Sequence, residues 1–243
     1  MKTISPILLL FLLLFFSCNQ INPSGSDLKQ REFENWIEIP IPDGREAFGI
    51  AGSLSDTLLV TTWTNAYYST DSGNTWILSK NFQGPIYDLV DRNDTIFAMQ
   101  LTTIKDYLGP PSIRNQQFSK NGYYFTTDFG KTWEKDETSN YFELESPIGI
   151  ATSKNGTVYR LNHDLNWISA NTYEINYSDI EKHIGLHWEL VDLPVKYGLN
   201  NLYFDKDNHL YVSAKSDKYI VEINYQGPYQ TQPGLIYYYK KEL

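Results

Sequence analysis

The sequence predicts an all-β fold: a small β-propeller, most simply of four blades closed by the N-terminal strand, with an open or incomplete propeller as the alternative. Three observations predict it. Beyond residue 30 the chain shows little helical periodicity and is rich in Tyr, Trp, Thr, Ile and Val, in short runs broken by turn residues. One hairpin signature occurs four times. The strand that the last repeat lacks has a counterpart near the start of the chain.

The first element lies outside the fold. Lys2 precedes an apolar run, PILLLFLLLFF, that ends at Phe16. This is the size of a signal-peptide core, and it falls short of the roughly twenty residues that a spanning helix needs. FFSC follows, and its cysteine, Cys18, is the only one in the chain. The segment resembles the lipobox of bacterial lipoproteins, in which the cysteine becomes the lipidated first residue, although Phe16 is bulkier than the usual residue before the serine. Residues 1–17 are thus expected to be a lipoprotein signal peptide and Cys18 the acylated anchor. Residues 18–33 follow as a flexible, polar tether. A single cysteine excludes an internal disulfide, so packing alone must stabilise residues 34–243 as one domain. The formal charge of −9 and the lack of any Lys/Arg cluster argue against a nucleic-acid partner.

Within the domain, NWIEIP (35–40) reads as a tryptophan-led strand. The repeated hairpin turns are SLSDTLLV (53–60), DRNDTIFA (91–98), SKNGTVYR (153–160) and DKDNHLYV (205–212), at spacings of 38, 62 and 52. Each follows an apolar run: FGIAG, IYDLV, IGIAT and NLYF. A tyrosine-rich strand comes next in every copy: AYYS, GYYF, YEINYS and LIYYY. The first three copies then add a tryptophan-led strand, TWILS, TWEKD or HWELV, whereas the fourth ends at Leu243 without one. NWIEIP is the natural substitute, placed beside the tyrosines at 237–239.

Two octets join the tyrosine and tryptophan strands: STDSGNTW (69–76) and TTDFGKTW (126–133). They resemble the Asp-box, or BNR repeat, of pattern S/T-x-D-x-G-x-T-W. A third copy, YSDIEKHIGLHW (177–188), is worn down around Asp179 and Trp188. The resemblance implies a propeller of the sialidase and sortilin-like repeat superfamily. It also implies a scaffold role for Asp71, Gly73, Trp76, Asp128, Gly130, Trp133, Asp179 and Trp188. The physical reason is local: a short carboxylate accepts N–H groups across a tight turn, glycine permits the left-handed backbone, and the indole packs between blades.

The chain carries few signs of catalytic chemistry. Sialidases use three substrate-gripping arginines, and this chain has only Arg31, Arg45, Arg92, Arg114 and Arg160, with no motif near the first strand. A two-carboxylate glycosidase leaves no local signature, and its loop candidates Asp43, Glu46 and Asp106 read as solvated groups. His183 and His187 could clamp zinc on a helix, but no third ligand accompanies them. Asp205, Asp207 and Asn208 mimic the start of a calcium loop without its later Glu. No metal, cofactor or catalytic residue is therefore expected.

Binding is expected at the end of the ring that carries the interblade connections (40–48, 80–86, 135–147, 192–199) and the insertions (99–121, 161–172, 213–234). Arg114, Trp167 and Tyr197 are the candidate anchors, with Trp63, Tyr107, Tyr229 and Pro110–Pro111 on the same loops. The expectation is a membrane-tethered, non-catalytic module of the bacterial envelope, facing the periplasm or the cell surface. It would bind a protein, peptide or glycan; a carbohydrate-active hydrolase is the alternative.

Overall fold

The N-terminal strand fills the place that the C-terminus leaves open. The computed structural model describes residues 28–136, 144–169, 172–227 and 229–243, so Cys18 and most of the tether lie outside the described residues. The chain enters through β1 (Arg31–Glu32) and β2 (Trp36–Gly44). The first complete sheet is β3 (Ile50–Gly52), β4 (Leu58–Thr61), β5 (Asn65–Ser69) and β6 (Ile77–Asn81). β7 (Asp88–Arg92), β8 (Thr95–Met99), β9 (Leu101–Tyr107) and β10 (Ile113–Lys120) follow, then β11 (Tyr124–Thr126), β12 (Glu134–Lys135) and β13 (Glu145–Pro147). β14 (Ile150–Thr152), β15 (Val158–Ser169), β16 (Thr172–Ile184) and β17 (His187–Val191) form one meander. β18 (Leu199–Phe204), β19 (Leu210–Ala214), α1 (Asp217–Glu222) and β20 (Pro233–Tyr239) end the chain.

β2 pairs with β20 in the register Trp36↔Tyr239, Ile37↔Tyr238 and Glu38↔Tyr237, alongside the tyrosines that the sequence marks. Pro40 and Pro42 are tolerated because β2 pairs with β1 only at Ile37 and Glu38, which leaves its other edge free of ladder bonds there. The four repeated hairpins are present as β3–β4, β7–β8, β14–β15 and β18–β19. The tightest, Arg92↔Thr95, is a two-residue turn with Asn93 and Asp94 at φ 53° and 62°, values that Asn and Asp tolerate better than most residues.

The blade count is corrected from four to five. The sheets are β3-β4-β5-β6, β12-β11-β8-β7, β13-β10-β9, β14-β15-β16-β17 and β1-β2-β20-β19-β18. The additional blade comes from residues 101–120, expected to be loop, and from β13. β9 follows β8 after Gln100 alone, and β10 returns to β11, so the chain leaves the second blade to build its neighbour. β13 then supplies the strand nearest the axis, pairing Phe118↔Pro147 and Lys120↔Glu145.

Three apolar clusters cement neighbouring blades. Ile39, Ile41, Ile50, Leu58, Tyr211 and Ile236 lock the last blade to the first. Leu59, Phe82, Leu89 and Ile96 lock the first to the second. Tyr159, Ile180, Leu199, Leu210 and Tyr237 lock the fourth to the last. All of these side chains are less than a tenth exposed, and burial of such groups is the main source of stability in a chain without disulfides.

Candidate functional site

The two octets fold alike. Asp71 accepts the Thr75 N–H (2.9 Å), the Thr75 hydroxyl (2.6 Å) and the Ser69 hydroxyl (2.8 Å). Asp128 accepts the same groups of Thr132 and Thr126 at 2.7 to 2.8 Å. Partial burial works against each charge, but the donated hydrogen bonds outweigh it and hold both carboxyls below their ordinary range. Gly73 and Gly130 stand at φ 78° and 82°, and a Cβ would meet Ile39 or Leu59 of the neighbouring blade at 2.8 or 2.5 Å. Trp76 donates its indole N–H to the Pro40 carbonyl (3.1 Å) and Trp133 to the Ser79 hydroxyl (2.6 Å), each on the adjacent blade's outer strand. Trp36 repeats this with the Asp192 carbonyl (2.8 Å). These residues hold blades together.

The worn third copy does something else. Asp179 lies within β16 opposite Asn162 and accepts from Lys196, so it closes no turn. Trp188 lies under the Arg160 guanidinium, 4.0 Å from ring centre. His183 and His187 sit on the adjoining strands β16 and β17; His183 packs at a tilt against Trp188 (5.0 Å) and His187 meets Glu189 (3.1 Å).

The end that carries the interblade connections has an aromatic mouth. Trp63, in the β4–β5 turn, stands 5.5 Å from Phe48 and 5.6 Å from Tyr87, which precede the axial strands β3 and β7. Backbone bonds fix all three: Phe48 N–H to Thr61 O (2.8 Å), Ile86 N–H to Trp63 O (3.0 Å) and Tyr87 N–H to Met99 O (2.8 Å). Trp63 remains 47% exposed. Just below, Asp88 is buried and accepts from Ser119 Oγ (3.1 Å), Asn201 Nδ2 (2.8 Å) and the Leu89 N–H (2.8 Å). Asn201 Oδ1 accepts the Gly149 N–H (2.7 Å), so one amide joins three segments across the axis. Burial pushes the Asp88 carboxyl up to about 7, against the lowering effect of these donors. A cavity of about 180 Å³ lies along the axis between Asp88, Asn201, Ile50 and Ile150.

The three expected anchors are not brought together. Arg114 is an exposed residue of β10, near the tip of its hairpin. Trp167 lies in β15 opposite Tyr173, near the tip of another. Tyr197 is 2% exposed, and its hydroxyl donates to Glu222 (2.6 Å), so it is a core residue. The acid candidates also have internal partners: Asp43 accepts from Tyr67 and Asn65, Glu46 pairs with Lys215, and Asp106 accepts the Asn115 N–H.

Two features were hidden in the sequence. Arg31, assigned to the tether, donates to the fully buried Glu38 (Nη2–Oε2, 2.8 Å) and to Glu222 (3.1 Å), while the Tyr237 hydroxyl donates to Glu38 (2.6 Å). Its partners lie far away in the chain or inside an apolar strand, so no local signal marks them. The second is an open cleft of about 400 Å³ at the opposite end, lined by Lys154, Asp205, Asp207, His209 and Tyr238. There Asp205 is taken up by its own turn, accepting the Asp207 and His209 N–H groups (both 2.9 Å) and the Tyr211 hydroxyl (3.1 Å).

No protein-family model matches the chain, and no curated protein does. Among solved structures it is similar to YCF48 bound to D1 peptide, at 12% identity and a TM-score of 0.27, over 78% of this chain and 68% of that one. It is also similar to YCF48 from Cyanidioschyzon merolae, at 13% identity and a TM-score of 0.32, over 74% of this chain and 83% of that one. At this distance neither likeness transfers a ligand or a residue role.

Proposed function

We propose that the protein is a non-catalytic binding module of the bacterial envelope, an Asp-box propeller held at a membrane through Cys18. On this reading it takes a protein, peptide or glycan at the aromatic mouth. The observation that carries the reading is Trp63: a large indole held between Phe48 and Tyr87 at the end of the axis and left nearly half exposed. Such a rigid, partly wet aromatic is the residue type that dominates binding hot spots and stacks on sugar or peptide planes. The floor beneath it is closed by Asp88 and Asn201, whose polar atoms are spent on each other and on the backbone. The ligand is therefore met at the surface. A hydrolase would need two free carboxyls about 5–10 Å apart in a pocket, whereas in the open cleft at the opposite end the buried Asp205 is consumed by its own turn.

Trp63→Ala tests the reading. Screened against peptide and glycan arrays, the wild-type chain should bind a subset of features, and the variant should lose at least about thirtyfold in affinity for them, since hot-spot aromatics cost about 2 kcal/mol or more when truncated. The variant should keep its circular dichroism spectrum. Unchanged binding in a folded variant would move the site away from the mouth.

A further inference from the structure

We infer that the end carrying the mouth also bears a lipid-contact surface, formed by the apolar tips of three separate projections that rest on the membrane to which the chain is tethered. The inference extends the tethered-module reading and uses its anchor.

The first projection is the β9–β10 hairpin, which continues past its last pairing with β13 at Phe118 to a turn at Leu108–Ser112. Leu108 is 86% exposed, and Ile104 on the same hairpin is 69% exposed. The second is the β15–β16 hairpin. β15 pairs with β14 only from Val158 to Arg160 and then runs on to Ser169, with Ile168 near its tip 59% exposed. The third is the outer face of α1, which packs on the core through Tyr219 and leaves Val221 77% exposed. Each leaves the ring at the connection end. β8 and β15 both run away from the repeated hairpin turns, and α1 follows Ser216, whose N–H bonds Arg45 O just beyond β2.

Leaving large apolar side chains in water on three separate elements is unfavourable in proportion to the apolar area that stays wet. The tips do not pack on one another in any described contact. A continuous apolar phase engages such spaced tips together. Residues that favour the membrane–water boundary flank two of them: Tyr107 and Arg114 on the first hairpin and Lys218 on α1.

The chain outside the structure points to the same occupant. Arg31, at the entry to the fold, bonds Glu222, the neighbour of Val221 on α1. The chain therefore departs beside the third projection. From Cys18 to Leu28, which already packs on the core, it can reach about 35 Å at most, at roughly 3.3–3.6 Å per residue. An acylated Cys18 could therefore lie in the bilayer that the tips touch.

The test uses the full chain purified from membranes and reconstituted in phosphatidylcholine vesicles, with and without brominated acyl chains. Leu108→Trp places a reporter on the first tip. Leu186→Trp places one at the fully exposed β16–β17 turn, at the opposite end. Both variants share the anchor and the six native tryptophans. The expected result is bromine quenching of the added Leu108→Trp emission at least twice that of Leu186→Trp. Replacing Ile168 and Val221 by Asp in the Leu108→Trp chain should abolish the difference. Equal quenching of the two reporters in floating vesicles overturns the surface while leaving the anchor intact. Failure of the chain to float overturns both. A shift from dimer to monomer in the Asp variants, with no change in quenching, would assign the tips to a second copy and overturn the lipid surface.

Discussion

Asp71 shows what one side chain can disclose from sequence. Its donors, Ser69 and Thr75, are within four residues, so the octet carries the whole motif. Asp71→Ala should lower stability by about 1–3 kcal/mol, the usual cost of removing a charged acceptor from its donors, seen as a lower urea midpoint with an unchanged slope. Because the folded Asp71 titrates below its unfolded value, its contribution is present above about pH 4 and is lost as pH falls through the folded value. Asp88 is the opposite case in both respects. Its partners Ser119 and Asn201 are 31 and 113 residues distant, and it sits inside an apolar run that reads as plain strand. Its folded value, about 7, lies above the ordinary 3.9. The native state therefore keeps a proton that the unfolded chain has released, and stability from this group is complete below about pH 4 and drains as pH rises through 7. Asp88→Asn, which can keep the same partners, should flatten the pH 5–8 stability profile by a few kcal/mol, as followed by urea titration at each pH.

At the scale of elements, the inner hairpins and the closing strand were legible because each combines a turn signal with apolar residues that face a neighbour. The β9–β10 strands, and the run of β15 beyond Arg160, were not. Most of β9 and much of β10 are exposed or only half-buried, so residues 101–117 show none of the alternation that marks a strand against a core. The missed fifth blade follows directly from that. Helix α1, six residues long, is too short to display a helical period. The site suffered likewise: Trp63 and Tyr229 were visible as loop aromatics, but only the folded chain sets Trp63 beside Phe48 and Tyr87 and sends Tyr197 inward. For the closing strand, Trp36→Ala should cost about 3–5 kcal/mol, as large aromatic truncations in a core do. It loses both the burial of the indole and the bond to Asp192 O. Chemical denaturation should report the loss, and a cost under 1 kcal/mol would mean that β2 is held mainly by its backbone ladder.

For the whole molecule, stability rests on joints between blades more than on any one sheet. Trp36, Trp76 and Trp133 each bond the preceding blade, and Asn201 ties the centre. A ring assembled this way should melt in a single cooperative step, checked by agreement of the calorimetric and van't Hoff enthalpies.

One consequence concerns the order in which the polypeptide is made. β2 and β20 are neighbours in the last sheet, and the Lys240 N–H bonds Asn35 O at 2.9 Å, so the two ends of the folded region already meet. A gene rewritten to begin at Leu186 and to join Leu243 back to Arg31 through a short linker would encode the same circle with its seam moved. Such a permuted chain should fold to the same spectrum. It would, however, part Arg31 from residues 18–30, and so, on the proposed tethered reading, separate assembly of the circle from attachment to a membrane.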